Sequence, residues 1–233
     1  MIELRCLARE GEAKIPRWAV SLGAERLATT QLPAGFTSGF QLEVPLMDTT
    51  LYLDYVAARF RKARGGMRTG VRFDALEDVE RNHPIIVNCA GIGAQTLVPD
   101  PELEPHRGQV VIVPGTPQTY AVVCNDAPLM YAIPRAGDCV FGGRNDVSAD
   151  RNPEPATSAQ IVAECSRALH IEPPRIIGER VGLRPYRRAG VCLRADRLSD
   201  GLRVIHNCGH GGSGFTLSWG CAREVLAFAR ETH

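Results

Sequence analysis

Apolar positions fall into short runs broken by proline and glycine, and two different periods alternate along the chain. Residues 1–35 are weakly patterned; Trp18-Ala19-Val20-Ser21-Leu22 and Leu27 suit short strand or amphipathic pieces. From Phe36 to Val44 the apolar residues alternate loosely, with Phe36, Phe40, Leu42 and Val44 on one side, which predicts a strand ended by Pro45. Asp48-Thr49-Thr50 reads as a helix N-cap, followed by Tyr52, Val56 and Phe60 at i, i+4 spacing. Arg61, Lys62 and Arg64 fill the last turn and Gly65-Gly66 closes it. Tyr52, Tyr55 and Phe60 are expected to pack in a core. Met67 to Leu76 predicts a short strand. Pro84-Ile85-Ile86-Val87-Asn88-Cys89 is nearly all apolar, as in a buried central strand, and Ala90-Gly91-Ile92-Gly93-Ala94 is a tight turn into a helix.

Further on, Gln109 to Val113 predicts a strand. Tyr120 to Cys124, Met130 to Ile133 and Cys139 to Gly142 are three short strands divided by proline and glycine signals, an antiparallel meander. Ser158 is the expected cap of a helix in which Ile161, Val162, Cys165, Ala168 and Leu169 share one face, and Pro173-Pro174 stops it. Arg175 to Gly182, Ala189 to Leu193 and Leu202 to Asn207 read as strands. The last helix carries Leu217, Cys221, Val225 and Phe228 as its expected buried stripe. Helix-bearing βα segments (84–98, 202–231) thus alternate with an antiparallel part (109–143, 175–193), which predicts a mixed α/β fold.

Composition adds bounds. The chain has 233 residues, 44% hydrophobic and 23% charged, with a net charge of +1. That size fits one large domain or two small ones, and the charge gives no general pull toward nucleic acid or acidic membrane. No apolar run has the length of a transmembrane helix. No charged-then-apolar leader opens the chain, and its end is not a peroxisomal address, so a cytoplasmic location is expected. Eight cysteines occur, without C-x-x-C or zinc spacing, and are expected to be reduced, buried small hydrophobes.

The stretch Gly209-His210-Gly211-Gly212-Ser213-Gly214, between a strand and a helix, carries G-x-G-x-x-G spacing. Glycines allow positive φ and close ligand approach, and the helix start points free N–H groups at the occupant. Only 19 residues follow Gly214, too few for the second strand and ribose-binding acid of an ordinary dinucleotide fold. Ser213 lacks G-x-S-x-G spacing, so a nucleophilic serine is disfavoured. A zinc site at His206 and His210 is disfavoured too, because glycine breaks the element between them. Arg184 stands in Val181-Gly182-Leu183-Arg184-Pro185, apolar surroundings in which a guanidinium needs a partner. Its fork suits a ligand carboxylate, while spacing alone favours an internal ion pair. Tyr131, in Tyr131-Ala132-Ile133-Pro134, reads by default as strand filler.

Taken together, Val87-Asn88-Cys89-Ala90-Gly91, Pro105-His106-Arg107-Gly108-Gln109-Val110, Tyr131-Ala132-Ile133-Pro134, Gly182-Leu183-Arg184-Pro185 and His206 to Gly214, with Phe215 to Ala222, occur in an order that resembles the D-amino-acid oxidase family. The resemblance runs from about Pro33 to Phe228. It implies a flavoenzyme with an FAD-binding, Rossmann-like domain interleaved with an antiparallel-sheet substrate domain. The expected segments are 1–65 and 111–184 for the substrate domain, and 66–110 and 185–233 for the FAD domain. It further implies oxidative deamination of D-amino acids to 2-oxo acids, ammonia and hydrogen peroxide, with hydride transfer to flavin N5 and re-oxidation by O2. Arg184 would clamp the substrate carboxylate, helped by the Tyr131 hydroxyl, and the Gly212 carbonyl would take the amino group. Gly211, Gly212, Ser213, Gly214, Phe215 and Thr216 would contact the flavin, and Phe73, Ala90 and Gly91 other portions of FAD. No metal, nucleic acid or membrane is implied, and a homodimer is allowed.

The sequence departs from the family pattern. The family's opening βαβ unit, which binds the ADP half of FAD, does not precede residue 33 here, so a truncation or an alternative start is expected. Cys208 stands where the family often has tyrosine, Phe215 where it has leucine, and Ala90 where it has threonine. Ala127 stands where vertebrate members carry an active-site tyrosine, implying a shorter or more open lid. The alternatives are a non-catalytic remnant of the family, or an oxidase of D-aspartate or of glycine and other secondary amines.

Overall fold

The computed structural model describes residues 1–80 and 82–231, as two compact units. The first comprises Met1–Met67, Gly108–Asn145 and Asn152–Val181. The second comprises Arg68–Arg107, Asp146–Arg151 and the chain from Gly182 onward. The elements in chain order are β1 (Ile2–Ala8), α1 (Arg17–Val20), β2 (Glu25–Arg26), β3 (Ser38–Val44), α2 (Thr49–Lys62), β4 (Ile85–Asn88), α3 (Ala94–Leu97) and β5 (Leu103–Pro114). They continue with β6 (Ala121–Cys124), β7 (Met130–Pro134), β8 (Asp138–Gly142), β9 (Asp146–Val147), α4 (Pro155–Leu169), β10 (Gly178–Arg187), β11 (Cys192–Arg197), β12 (Arg203–Cys208) and α5 (Gly214–Arg230).

The first unit is built on a mixed sheet. β6, β7 and β8 form the antiparallel meander, with Val123 opposite Tyr131 and Ala132 opposite Phe141. β8 pairs antiparallel with β5, and β6 pairs parallel with β1, which is antiparallel to β3. β1 is the element missing from the early pattern: Ile2, Leu4, Cys6 and Ala8 share one side, and Glu3 and Arg5 share the other with Leu7. One face of the sheet buries Val111, Val113, Val122, Met130 and Phe141 against Ile161, Val162 and Cys165 of α4. A second cluster gathers Phe40, Leu42, Ala8 and Ala19.

The start of α4 differs from expectation. Ser158 is not its cap: the helix opens at Pro155, and Ser158 is buried inside the first turns. The N-terminus is satisfied instead by the buried Gln109 of β5. Its Oε1 accepts from Glu154 N at 3.0 Å, while its Nε2 donates to Glu154 O at 3.0 Å and to Ser158 Oγ at 2.7 Å. Helix α2 opens on Asp48, whose side chain accepts from Thr50 N at 3.0 Å. It buries no residue, however, and Tyr55 and Phe60 are exposed rather than in a core.

In the second unit, β12 pairs antiparallel with β11 and parallel with β4, so the order is β11-β12-β4. β4 therefore lies at an edge of this sheet rather than at its centre, and Val87 on it is 43% exposed. Helix α5 packs on β11 and β12; Cys221 is its one buried residue, while Leu217 of the expected stripe is 40% exposed. Cys89, expected in the interior, is exposed; all eight cysteines are free thiols. The expected strand from Met67 to Leu76 is irregular chain, and the short β9 pairs with the first residues of β5. Among the described residues no helix is long and apolar enough to cross a membrane.

Candidate functional site

Two parallel strands of the second unit end side by side. His206 of β12 stands opposite Asn88 of β4, and Asn207 Nδ2 donates to Cys89 Sγ at 3.6 Å. Each strand then runs into a glycine turn. After β4, Gly91 takes φ of +58° and opens a 3-10 turn, with no atom where a Cβ would point. After β12, Gly209 takes φ of +81° and Gly211 +56°, and a 3-10 turn over Gly211–Ser213 leads into α5. Only glycine adopts such φ values without steric cost. Ligands of α/β sheets settle outside the carboxyl ends of parallel strands, which is where both turns lie. Ser213 makes no side-chain cap, so the first-turn N–H groups of α5 and its positive dipole end are offered to an occupant.

The end of β10 supplies the cation. Tyr186 bridges to His210 in backbone pairing, which sets the strand against the glycine loop. Arg184, two residues earlier and half-buried, therefore lies against Gly212: a Cβ there would sit 3.5 Å from Arg184 Cδ and 3.7 Å from Nε. The Tyr186 ring backs Gly211, 3.6 Å from where a Cβ would be. His106 in turn stacks on Tyr186 with ring centroids 4.3 Å apart. Gly209 leaves no room for a side chain, since Arg187 Cβ would be 2.7 Å away. Arg187 itself pairs with Asp100 at 2.8 Å, and this hydrogen bond holds the Asp100 carboxyl below the usual carboxylate range.

The same unit holds a cavity of about 130 Å³ lined by Asn88, Asp100, Arg187, Cys192, His206 and Cys208, among others. Asn88 Oδ1 accepts from Ala90 N at 3.2 Å, and its amide nitrogen is 3.4 Å from His206 Nδ1. Burial pushes the His206 pKa down, opposed by Asp196 at 3.6 Å from Nε2. Burial lowers His210 as well; its Nε2 is 3.5 Å from Cys221 Sγ.

Above a pH of about 6.5, imidazoles are neutral folded and unfolded alike and contribute nothing. Below it the unfolded chain binds protons that the buried His206 and half-buried His210 rings resist, so folding stability is expected to fall with pH from about 6.5 downward. Asp100 acts in a separate, lower window, because its depressed pKa keeps its stabilisation until the carboxylate range is reached. Denaturant midpoints measured across pH check this; His206→Gln is expected to flatten part of the slope, and an unchanged slope would remove His206 from it.

Of the residues singled out by sequence, Arg184, Gly211, Gly212, Ser213 and Gly214 come together at the loop. Phe215 and Thr216 follow on the exposed first turn of α5, and Ala90 and Gly91 form the neighbouring strand-end turn. Phe73 lies in the irregular chain of the same unit, 37% exposed. Tyr131 belongs to the first unit, where its ring packs over Gly142 and Gly143. Among the described residues no group of three His, Cys, Asp or Glu side chains could hold a metal. Sequence reasoning missed Tyr186 and His106. The signal was available for Tyr186, since residues two apart on a strand share a face with Arg184.

Residues 4–227 match a family model described as FAD dependent oxidoreductase. A D-amino-acid oxidase of Rubrobacter xylanophilus is 38% identical over 237 aligned positions, which cover 98% of this chain and 70% of that protein. A D-aspartate oxidase of Homo sapiens is 31% identical over 229 positions, 94% of this chain and 65% of that protein. The crystal structure of glycine oxidase from Geobacillus kaustophilus superposes with a TM-score of 0.75 at 16% identity, covering 99% of this chain and 72% of that one; it shares the fold. The residues present fit the flavin-bearing part of FAD. The Gly91 turn leaves open space where a Cβ would point, and the uncapped N-terminus of α5 suits electron-rich ring edges.

Proposed function

The chain belongs to the FAD-dependent oxidoreductase family, and on that premise we propose that it oxidises D-amino acids to 2-oxo acids, ammonia and hydrogen peroxide. The observation that carries the reading is Arg184 against Gly212. A guanidinium fork binds a carboxylate through two parallel hydrogen bonds, and the Gly212 carbonyl accepts from the substrate's neutral amino group, whose lone pair forms the C=N bond as the Cα hydride leaves. Fixing both groups fixes the handedness: only one enantiomer then aims its Cα–H at the reacting ring. The uncapped N–H groups of α5 stabilise negative charge that develops at the loop. Bound FAD supplies acceptance of a hydride at ring N5 and delivery of two electrons to O2. No side chain here is asked to act as a general base.

Nearby cations bear on the substrate side chain. Arg187 is engaged by Asp100 at 2.8 Å and Arg194 by Asp196 at 2.8 Å. Cations already in ion pairs favour a neutral substrate side chain over that of D-aspartate. A cytoplasmic location belongs to the same proposal, and eight free thiols suit a reducing compartment.

The test is peroxide formation by the chain with added FAD. D-alanine is expected to give peroxide, D-aspartate less, and L-alanine and glycine little. A preference for D-aspartate or glycine would move the reading to the relative that bears that name. A chain that takes up no FAD and forms no peroxide would support a non-catalytic member of the family.

A further inference from the structure

The hairpin of β11 and β12 sets Cys192 directly opposite Cys208. Directly opposed residues of an antiparallel pair have Cα atoms about 4.5–5.5 Å apart and side chains on one face, within the span of about 4.4–6.8 Å that a disulfide bridges. Both side chains are buried, yet both line the cavity of about 130 Å³, beside Asn88, Asp100, Arg187 and His206. That cavity has room and polar partners for a molecule little larger than water.

We propose that Cys192 and Cys208 are a modification site: a dithiol that hydrogen peroxide converts to a cross-strand disulfide. One sulfur, as thiolate, attacks a peroxide oxygen; the O–O bond breaks, hydroxide leaves and, with the released thiol proton, becomes water. The second thiol attacks the resulting sulfenic sulfur; the S–O bond breaks, the S–S bond forms and a second water leaves. The two thiols lose two electrons in total, and one peroxide is reduced to two waters. The bond fastens β11 to β12 at the residue directly before Gly209, the base of the glycine loop. The proposal rests on the oxidase reading only for the source of peroxide within the molecule.

The thiolate requirement sets the pH dependence. Burial pushes the Cys208 thiol up to about 11, with Cys192 and Asp100 adding to the rise and Arg187 opposing it. Arg194 and His206 also face the cavity. Oxidation is therefore expected to be slow at neutral pH and to accelerate as pH rises.

The experiment uses the full chain, treated with added hydrogen peroxide while folded, then alkylated under denaturing conditions and digested with trypsin. The free-thiol count is expected to fall by two from eight. The peptide carrying Cys192 is expected to be joined to the one carrying Cys208, with a loss of two hydrogens, and dithiothreitol to separate them. Because Cys208 and Cys221 share a tryptic peptide, Cys221→Ser is expected to retain the joined product, while Cys208→Ser and Cys192→Ser abolish it. Eight surviving thiols, sulfurs that gain oxygen without joining, or a joined product that survives Cys208→Ser would each overturn the proposal. The wild-type digest alone decides the first two, whatever the variants' folding, and added peroxide makes the outcome independent of oxidase activity.

Discussion

Arg184→Ala is expected to lower kcat/KM for D-amino acids by about thirtyfold to several thousandfold, from the roughly 2–5 kcal/mol that loss of one partner from a buried charge pair costs. The loss arises because the substrate carboxylate, desolvated at the loop, would face the Gly212 backbone without its counter-charge. Arg184→Lys keeps a charge but loses the planar fork, so it is expected to fall between wild type and alanine. FAD affinity is expected to change little, since the positive-φ glycines that shape the loop are Gly209 and Gly211, which Arg184 does not set. Steady-state kinetics on D-alanine, with FAD binding followed by flavin fluorescence, separates the two effects. Unchanged kinetics in Arg184→Ala would leave the internal ion pair as the reason for this arginine.

The largest stability effect is expected at Phe141. Its side chain is fully buried, opposite Val111 of β5 and Ala132 of β7 in register and in one cluster with Ile161 and Cys165 of α4. Phe141→Ala removes a ring at the centre of the meander and is expected to cost about 3–5 kcal/mol of folding free energy, transfer and cavity contributions together. That is a large fraction of the roughly 5–15 kcal/mol that holds a typical domain folded. Urea titration of wild type and variant measures it; a loss below about 1 kcal/mol would mean that the surrounding side chains collapse into the vacated space.

What the sequence made legible was local. Asp48 and Gly65-Gly66 bracketed α2, whose residues run Thr49–Lys62, because caps and stops are written in neighbouring residues. The meander of β6, β7 and β8 was marked by its turns. The glycine loop was marked by the backbone itself, since +81° at Gly209 and +56° at Gly211 demand glycine.

What escaped was non-local. β1 has a mixed sequence and exists because β3 and β6 flank it from distant parts of the chain. The true partner of the α4 N-terminus, Gln109, lies 45 residues away. Ile85-Ile86-Val87 has the composition of a central strand, but composition does not say how many neighbours a strand has, and β4 has β12 on one side only among the described residues. The apolar faces of α2 and α5 were visible as patterns; whether an element covers them depends on the fold, and Tyr55, Phe60 and Leu217 are exposed. The adjacency of Arg184 and Gly212 likewise depends on the backbone bridge between Tyr186 and His210, which no local pattern encodes.

The most direct test of the proposed oxidation is anaerobic mixing of the FAD-loaded protein with D-alanine and, separately, L-alanine, followed by the visible flavin absorbance. D-alanine is expected to bleach the flavin band and L-alanine to leave it intact, and admitted air is expected to restore the colour with release of hydrogen peroxide. A bound flavin that stays yellow with every D-amino acid offered would contradict the proposed oxidation.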